Sequence, residues 1–125
     1  MADVLLTDRE AEIMDVLWKN GPSLVTEVRD QLPEEFAYTT VLSVLRTLEA
    51  KGYVDHKSEG RGHRYFATVQ QRAARRSALH HLTSKLFDGS RELLLTHLVS
   101  DKRLTPDEIR KLRKLLDQSA QENER

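Results

Sequence analysis

A single apolar stripe with a glycine one helical turn after it constrains the fold of this chain more than any other feature. The stripe recurs at the i, i+3, i+4, i+7 spacing of one helix face and consists of Val41, Val44, Leu45 and Leu48. Gly52 follows Leu48 by four residues, at a position where a residue in the left-handed conformation commonly ends a helix. The sequence therefore predicts a helix over about residues 38–51 that is buried along one side only.

Two short segments after this glycine have the composition of β-strands. Residues 53–57 and 63–68 contain Tyr, Val, Phe and Thr, which are enriched in strands. Gly60 and Gly62 lie between the two segments on either side of Arg61, and glycines at this spacing favour a tight turn. The pattern predicts a two-stranded β-hairpin with a basic tip.

Two further helices are predicted before the stripe. Residues 7–10, Thr-Asp-Arg-Glu, form a capping box that begins a helix over about residues 8–19, and an Asn-Gly-Pro sequence ends it. Ser23 is the predicted N-cap of a second helix over about residues 24–31, which a proline follows. Three helices followed by a hairpin is the order of a winged helix-turn-helix domain, which we expect over residues 1–72.

The exposed side of the third helix suits the major groove of DNA. Short hydroxyl side chains let a helix approach the groove floor, and an arginine can reach guanine O6 and N7. We predict that bases are read by Thr39, Thr40, Ser43 and Arg46. We predict further contacts, to the DNA backbone or from the wing, by Tyr38, Thr47, Arg61, His63 and Arg64. The alternative is a solvated face, although such faces usually mix Glu with Lys.

Charge and composition narrow the classes of function. The 125 residues include 20 basic and 20 acidic groups, and this balance argues against a non-specific polyanion binder. Residues 38–76 nevertheless carry a local net charge of +5. The absence of cysteine excludes disulfides, thiolate metal sites and a cysteine nucleophile. Neither an apolar run of about 18 residues nor a secretory signal is present, so we expect a cytoplasmic protein.

The C-terminal part is rich in leucine at helical spacing but poor in aromatic residues. A second capping box, residues 105–108, begins a last helix over about residues 106–118, and the tail at 118–125 is expected to fray. So thin a module cannot bury a core alone, whereas two copies can. We predict a helical dimerisation region over residues 73–125. Its contacts are Leu82, Leu86, Leu94, Leu98, Ile109, Leu112 and Leu116. The alternative is that these helices fold back on the winged domain.

No motif for catalysis is present. The chain lacks a glycine-rich phosphate loop, a His-Glu-x-x-His sequence and a Gly-x-Ser-x-Gly sequence, so we expect no enzyme, no cofactor and no metal site. His80, His81 and His97 leave a small hydrolase or metal sensor as one alternative, although adjacent residues on a helix point apart. A winged helix that binds proteins is another, and it would favour an apolar or acidic third helix.

Several stretches resemble the penicillinase-repressor family, of the BlaI/MecI/CopY type. They are Leu-Thr-Asp-Arg-Glu-Ala-Glu-Ile-Met at 6–14 with Leu17-Trp18, Ala-Tyr-Thr-Thr-Val at 37–41, Leu-Glu-Ala-Lys-Gly-Tyr-Val at 48–54 and Arg-Tyr-Phe at 64–66. The similarity covers about residues 5–117, and the Leu-Thr-Pro-Asp-Glu-Ile sequence at 104–109 resembles the last helix of the family's dimerisation region. The resemblance implies a homodimeric repressor on a palindromic operator of double-stranded DNA, upstream of β-lactamase or copper-handling genes.

The resemblance also implies a route of regulation. In the β-lactamase branch, a membrane-bound sensor with a metalloprotease domain triggers cleavage of the dimerisation region between Asn and Phe. Those positions here are His97 and Leu98, so the chain departs from the family's cleavage pair. In the copper branch, C-terminal cysteines bind the metal, and this chain has none. Ala37 and Tyr38 replace the Ser-Pro of some relatives, which weakens the cap of the third helix.

Overall fold

The computed structural model describes residues 3–124, and their packing separates two compact units between His80 and His81. The elements follow in the order α1 (Asp8–Asn20), β1 (Ser23–Leu24), α2 (Val25–Gln31), α3 (Tyr38–Ala50), β2 (Val54–Glu59), β3 (Gly62–Ala67), α4 (Gln71–Leu86), α5 (Arg91–Ser100) and α6 (Pro106–Asn123). α4 begins close to the predicted domain division at residue 72, and that division stays a prediction.

α1 begins at the predicted capping box. The Thr7 hydroxyl accepts from the Glu10 amide at 3.2 Å, and the Glu10 carboxylate accepts from the Thr7 amide at 2.8 Å. Gly21 ends the helix at a φ of 76°, a conformation that a residue without Cβ adopts readily. The same carboxylate also accepts from Lys51 Nζ at 2.8 Å, so it connects the start of α1 to the end of α3.

The prediction that Ser23 caps α2 is wrong. Ser23 is buried, its hydroxyl donates to the Gly21 carbonyl at 2.8 Å, and its backbone pairs with Tyr65 in β3. Leu24 is the N-cap instead, and its amide donates to Glu27 Oε1 at 2.7 Å. Ser23 therefore belongs to the sheet and does not cap the helix. β1 has only two residues, too few for a strand to be predicted from the sequence.

The sheet has three antiparallel strands in the order β1-β3-β2 rather than the two predicted. β2 and β3 form the expected hairpin, in which His56 pairs with Tyr65 and Lys57 with Arg64. Since side chains alternate between the faces of a sheet, His63 and Tyr65 share one face and Arg64 lies on the other. This alternation separates Arg64 from the other predicted wing residue on β3, His63.

The core of the first unit draws mainly on α1, α2, α3, β2 and β3. It consists of Ile13, Met14, Val16, Leu17, Val25, Val28, Leu32, Val41, Leu45, Leu48, Val54 and Tyr65. Three of the four residues in the predicted stripe are at most 1% exposed, and Val44 is half-buried. α3 packs its apolar side against α1 and α2 and leaves its hydroxyl-rich side in solvent. This confirms the winged helix-turn-helix arrangement.

The second unit is helical and has little interior. α6 begins at the predicted second capping box, where the Thr105 hydroxyl accepts from the Glu108 amide at 3.1 Å. It continues to Asn123, so the expected fraying from residue 118 is wrong. The tail contains no glycine or proline to stop the helix, and its polar residues tolerate a solvated one. No helix in residues 3–124 is long and apolar enough to cross a membrane.

Candidate nucleic-acid interface

The exposed face of α3 carries a shallow groove. Its lining consists of Thr39, Leu42, Ser43, Arg46, Thr47 and Ala50. Four of these were predicted from the sequence to face DNA, while Leu42 and Ala50 were missed because apolar residues were assigned to the core. The short side chains of Ser43 and Ala50 keep the floor of the groove close to the backbone of α3, which suits the approach of another macromolecule.

Arg46 has the freest charge on this face. It forms no ion pair or hydrogen bond with any residue that the structure describes, and its side chain is exposed. Thr47 differs, because its hydroxyl donates to the Ser43 carbonyl at 3.1 Å and presents mainly its methyl group. Thr40 is half-buried and does not line the groove, since it lies about a quarter-turn from Thr39 around the helix.

Tyr38 lies at the start of the same helix. It is the first residue of α3 and is 39% exposed, while Ala37 caps the helix without a side-chain hydrogen bond. Backbone amides in the first turn of a helix lack intrahelical partners. The first turn therefore presents amide donors and a phenol side by side, both suited to a phosphate oxygen.

The tip of the wing carries a second free cation. Gly60 has a φ of 59°, and Arg61 follows it in the turn between β2 and β3. Arg61 is exposed and has no ion-pair partner among residues 3–124. The tip thus carries a long, unpaired guanidinium that is free to seek an anion.

Arg64 does not join these side chains. Its Nε donates to Glu59, and its Nη1 donates to Glu27 Oε1 at 3.0 Å and to the Pro22 carbonyl at 3.2 Å. These bonds span β3, β2 and α2, on the sheet face opposite His63 and Tyr65. The guanidinium is therefore engaged within the chain, where it fixes the base of the wing.

The other predicted wing residue belongs to an aromatic and acidic junction between α3 and the wing. The His63 ring meets the His56 ring edge-on, with centroids 4.7 Å apart, and His56 Nδ1 contacts the Glu49 carboxylate. Burial raises the pKa of the neighbouring Tyr65 hydroxyl, and Glu49 raises it further while Arg46 opposes the rise. No sequence pattern marks Glu49 as functional, since a single acid near a helix end is common.

The residues predicted for dimerisation differ in exposure. Leu82, Leu86, Leu98 and Leu116 are between 42% and 68% exposed. Ile109 is 38% exposed and Leu112 half-buried, but Leu94 is 8% exposed and already covered within the chain. Four exposed residues in or beside this set were not predicted: Leu93, Val99, Leu115 and, before His81, Leu79.

The predicted cleavage pair lies inside α5. His97 packs edge-on against Phe87, with ring centroids 5.4 Å apart, and Leu98 is 54% exposed. His80 and His81 are both exposed. Within residues 3–124, the one group of three potential metal ligands excludes all three of the histidines first suspected, and it consists of Glu49, Asp55 and His56.

Comparisons of sequence agree on one family. The model of the penicillinase repressor family matches residues 6–118. The transcriptional regulator BlaI of Mycobacterium tuberculosis is 36% identical over 116 residues, which cover 89% of this chain and 82% of that protein. The methicillin resistance regulatory protein MecI of Staphylococcus aureus is 22% identical over 116 residues, covering 90% of this chain and 93% of the relative.

Solved structures show the same fold at lower identity. A variant of MarR from Escherichia coli superposes with a TM-score of 0.52 at 19% identity, covering 92% of this chain and 78% of that one. At this identity the likeness concerns the fold, and it agrees with the winged-helix arrangement described above.

Proposed function

The chain belongs to the penicillinase repressor family, and from this premise we propose that it is a sequence-specific DNA-binding repressor that acts as a homodimer on a palindromic operator. The relatives are named as transcriptional regulators and repressors rather than enzymes. Two of those names refer to methicillin resistance and penicillinase. Genes of the β-lactamase type, or of another stress response, are therefore the first candidate targets.

The observation that carries the proposal is the exposed face of α3. Its groove combines short hydroxyl side chains with an unpaired arginine, and it contains no acid. A DNA major groove admits one α-helix, and an arginine makes two hydrogen bonds to guanine there. We assign base reading to Thr39, Ser43 and Arg46, with Thr40 at the edge of the contact.

The other predicted DNA-binding residues differ in whether their side chains are free or bonded within the chain. Tyr38 and Arg61 are exposed at the start of α3 and at the tip of the wing, so we assign them to phosphates. The Thr47 methyl group suits a thymine methyl, and His63 supports the wing from its inner face. Arg64 is held by three acceptors, so we assign it to positioning the wing rather than to DNA.

The homodimer explains the apolar surface of the second unit. Two recognition helices read two half-sites one helical turn of DNA apart, so a dimer and a palindrome share one symmetry. Repression then works by occlusion of the promoter, and any loss of dimerisation weakens operator binding.

Release of the operator by proteolysis is a further part of the proposal. A membrane-bound sensor metalloprotease would cut the His97–Leu98 bond, which lies in the interior of α5. A protease binds an extended segment, so α5 must unwind locally before that bond can be cut.

The decisive experiment measures duplex binding by fluorescence anisotropy at two salt concentrations. The probes are DNA fragments from upstream of the gene that encodes this chain, and a scrambled duplex of equal length. We expect tight, salt-sensitive binding of the upstream fragment at two chains per site, because phosphate contacts release counterions. Equal affinity for both duplexes, or none, would favour a protein-binding winged helix instead.

A variant tests the recognition face directly. We expect Arg46→Ala to lose about 1–3 kcal/mol of operator affinity, or about 5- to 150-fold. Its affinity for the scrambled duplex should stay close to that of the wild type, because Arg46 is assigned to base reading. Arg103→Ala is the matched control, because Arg103 is an exposed arginine in the loop between α5 and α6. If Arg46→Ala binds the operator as tightly as the control, the assigned face is wrong.

A further inference from the structure

Three potential metal ligands from two elements converge where α3 meets the wing. Glu49 lies in the last turn of α3, and Asp55 and His56 are neighbours on β2. One ligand atom from each lies within 4.8 Å of the other two. The side chains of Glu49 and His56 are 34% and 31% exposed and Asp55 is exposed, so an ion can reach the group from solvent.

The same junction contains an unsatisfied polar atom. Nδ1 of His63 is shielded from solvent and has no hydrogen-bond partner among the described residues. Its ring lies against that of His56, with centroids 4.7 Å apart. A buried nitrogen without a partner is unfavourable, and such atoms in native proteins commonly mark the place of a water or an ion.

We propose that Glu49, Asp55 and His56 bind a divalent transition-metal ion of the Zn²⁺ type. Zn²⁺ takes imidazole nitrogen together with carboxylate oxygens, and three protein ligands leave a fourth position for water. Two carboxylates and a neutral imidazole carry a charge of −2, which the ion neutralises. Mg²⁺ and Ca²⁺ prefer ligand sets made of oxygen, so the imidazole favours the transition metal.

The local bonding prepares these ligands. The His56 amide donates to Asp55 Oδ1 at 2.8 Å, which orients that carboxylate beside the ring. The contact of His56 Nδ1 with the Glu49 carboxylate holds these two ligands next to each other. On binding, the ion would replace the direct contact between these two groups, and the His63 ring would form part of the outer shell.

The position of the site couples the ion to DNA binding, and this step rests on the proposed function. Glu49 follows Arg46 by one turn of α3, and residues three apart are neighbours on a helix surface. Glu49 can therefore compete with guanine for Arg46 and also repel phosphates. An ion that neutralises this carboxylate and joins α3 to β2 would strengthen operator binding.

The site itself is tested without DNA, by titrating the metal-free chain with Zn²⁺ against a chromophoric chelator. We expect one Zn²⁺ per chain. The His56→Gln and Glu49→Gln variants should each bind Zn²⁺ at least about tenfold more weakly than the wild type. His80→Gln is the matched control, because His80 is an exposed histidine outside the group, and it should leave the affinity unchanged. Mg²⁺ at the same concentration should not compete.

A spectroscopic measurement covers the case in which a variant fails to fold. Histidine ring nitrogen resonances of the wild-type chain, followed during Zn²⁺ addition, should show His56 as the ring that shifts most. Absence of Zn²⁺ binding, equal binding by the His56→Gln variant, or a dominant shift at His80, His81 or His97 would overturn the site.

The coupling is tested separately with the operator fragment. We expect the wild-type chain to bind it about 5-fold or more tightly with Zn²⁺ than after chelation, and the Glu49→Gln variant to lose this response. An unchanged operator affinity at saturating Zn²⁺ would overturn the coupling. A chain that binds Zn²⁺ but no DNA in either form would refute the proposed function and leave the metal site established.

Discussion

At the scale of single residues, Glu10 shows how one side chain can stabilise two elements. Burial acts to raise the pKa of its carboxyl, but hydrogen bonds from Lys51 and the Thr7 amide outweigh this and lower it. A carboxyl whose pKa is lower in the folded state stabilises the fold above its unfolded pKa. This contribution is lost as the pH falls through the folded pKa.

We therefore expect Glu10→Gln to lower the free energy of unfolding by about 1–2 kcal/mol at neutral pH, since a capping carboxylate and an ion pair are lost. The variant should also lose part of the wild type's fall in stability on the acid side of the ordinary carboxyl range. Urea unfolding across that range measures both effects. Glu34→Gln, in the exposed turn before α3, is the control and should follow the wild type. A Glu10→Gln profile parallel to the wild type would refute this role.

The Glu10 contacts also show where sequence reasoning stops at this scale. The capping half of its role was predictable, because Thr7 and Glu10 are three residues apart and the motif is local. The ion pair with Lys51 was not, because the two residues are 41 positions apart and meet only after α1 packs on α3. The same holds for Glu49 and His56, which the turn at Gly52 brings together.

At the scale of elements, the long periodic segments were predictable and the shortest one was not. The stripe of α3 and the hairpin follow from period and turn chemistry, as the positive φ of 84° at Gly52 confirms. β1 has two residues, too few for any alternation, and it forms only because β3 offers an edge. This pairing explains why Ser23 is not the N-cap that its residue type predicts.

The hairpin makes a prediction of its own as the wing. Arg61 is free at the tip, so Arg61→Ala should weaken binding to the operator and the scrambled duplex by similar factors. The slope of affinity against salt concentration should fall by about one. Anisotropy titrations at several salt concentrations measure both quantities, with Arg103→Ala as control. An effect confined to the operator would make Arg61 a base reader and refute its assignment to phosphate.

At the scale of the whole molecule, the two units differ in how completely each buries its own apolar side chains. The first has a continuous core, whereas the second buries Leu94 and leaves large apolar side chains in solvent. Isolated exposed leucines are ordinary on a monomer, but a leucine-rich module of this size needs a second copy or a larger neighbour to form a core. The sequence predicted the poverty of this core but not which leucine the chain would cover by itself.

The test of the dimer therefore targets the predicted contacts on α6, which are Ile109, Leu112 and Leu116. Leu116 is 53% exposed, and Leu116→Glu should convert a dimer into a monomer in sedimentation equilibrium, because a charge would be buried at the interface. Gln118→Glu, about half a turn away on the same helix, adds the same charge and should remain dimeric. The monomer should lose affinity for the full palindrome while an isolated half-site is bound as before, since each winged domain still reads its own half.

If Leu116→Glu unfolds, Leu98→Glu in α5 replaces it. A wild-type chain that stays monomeric at all concentrations, with or without operator, would refute the dimer and leave these leucines to a different partner.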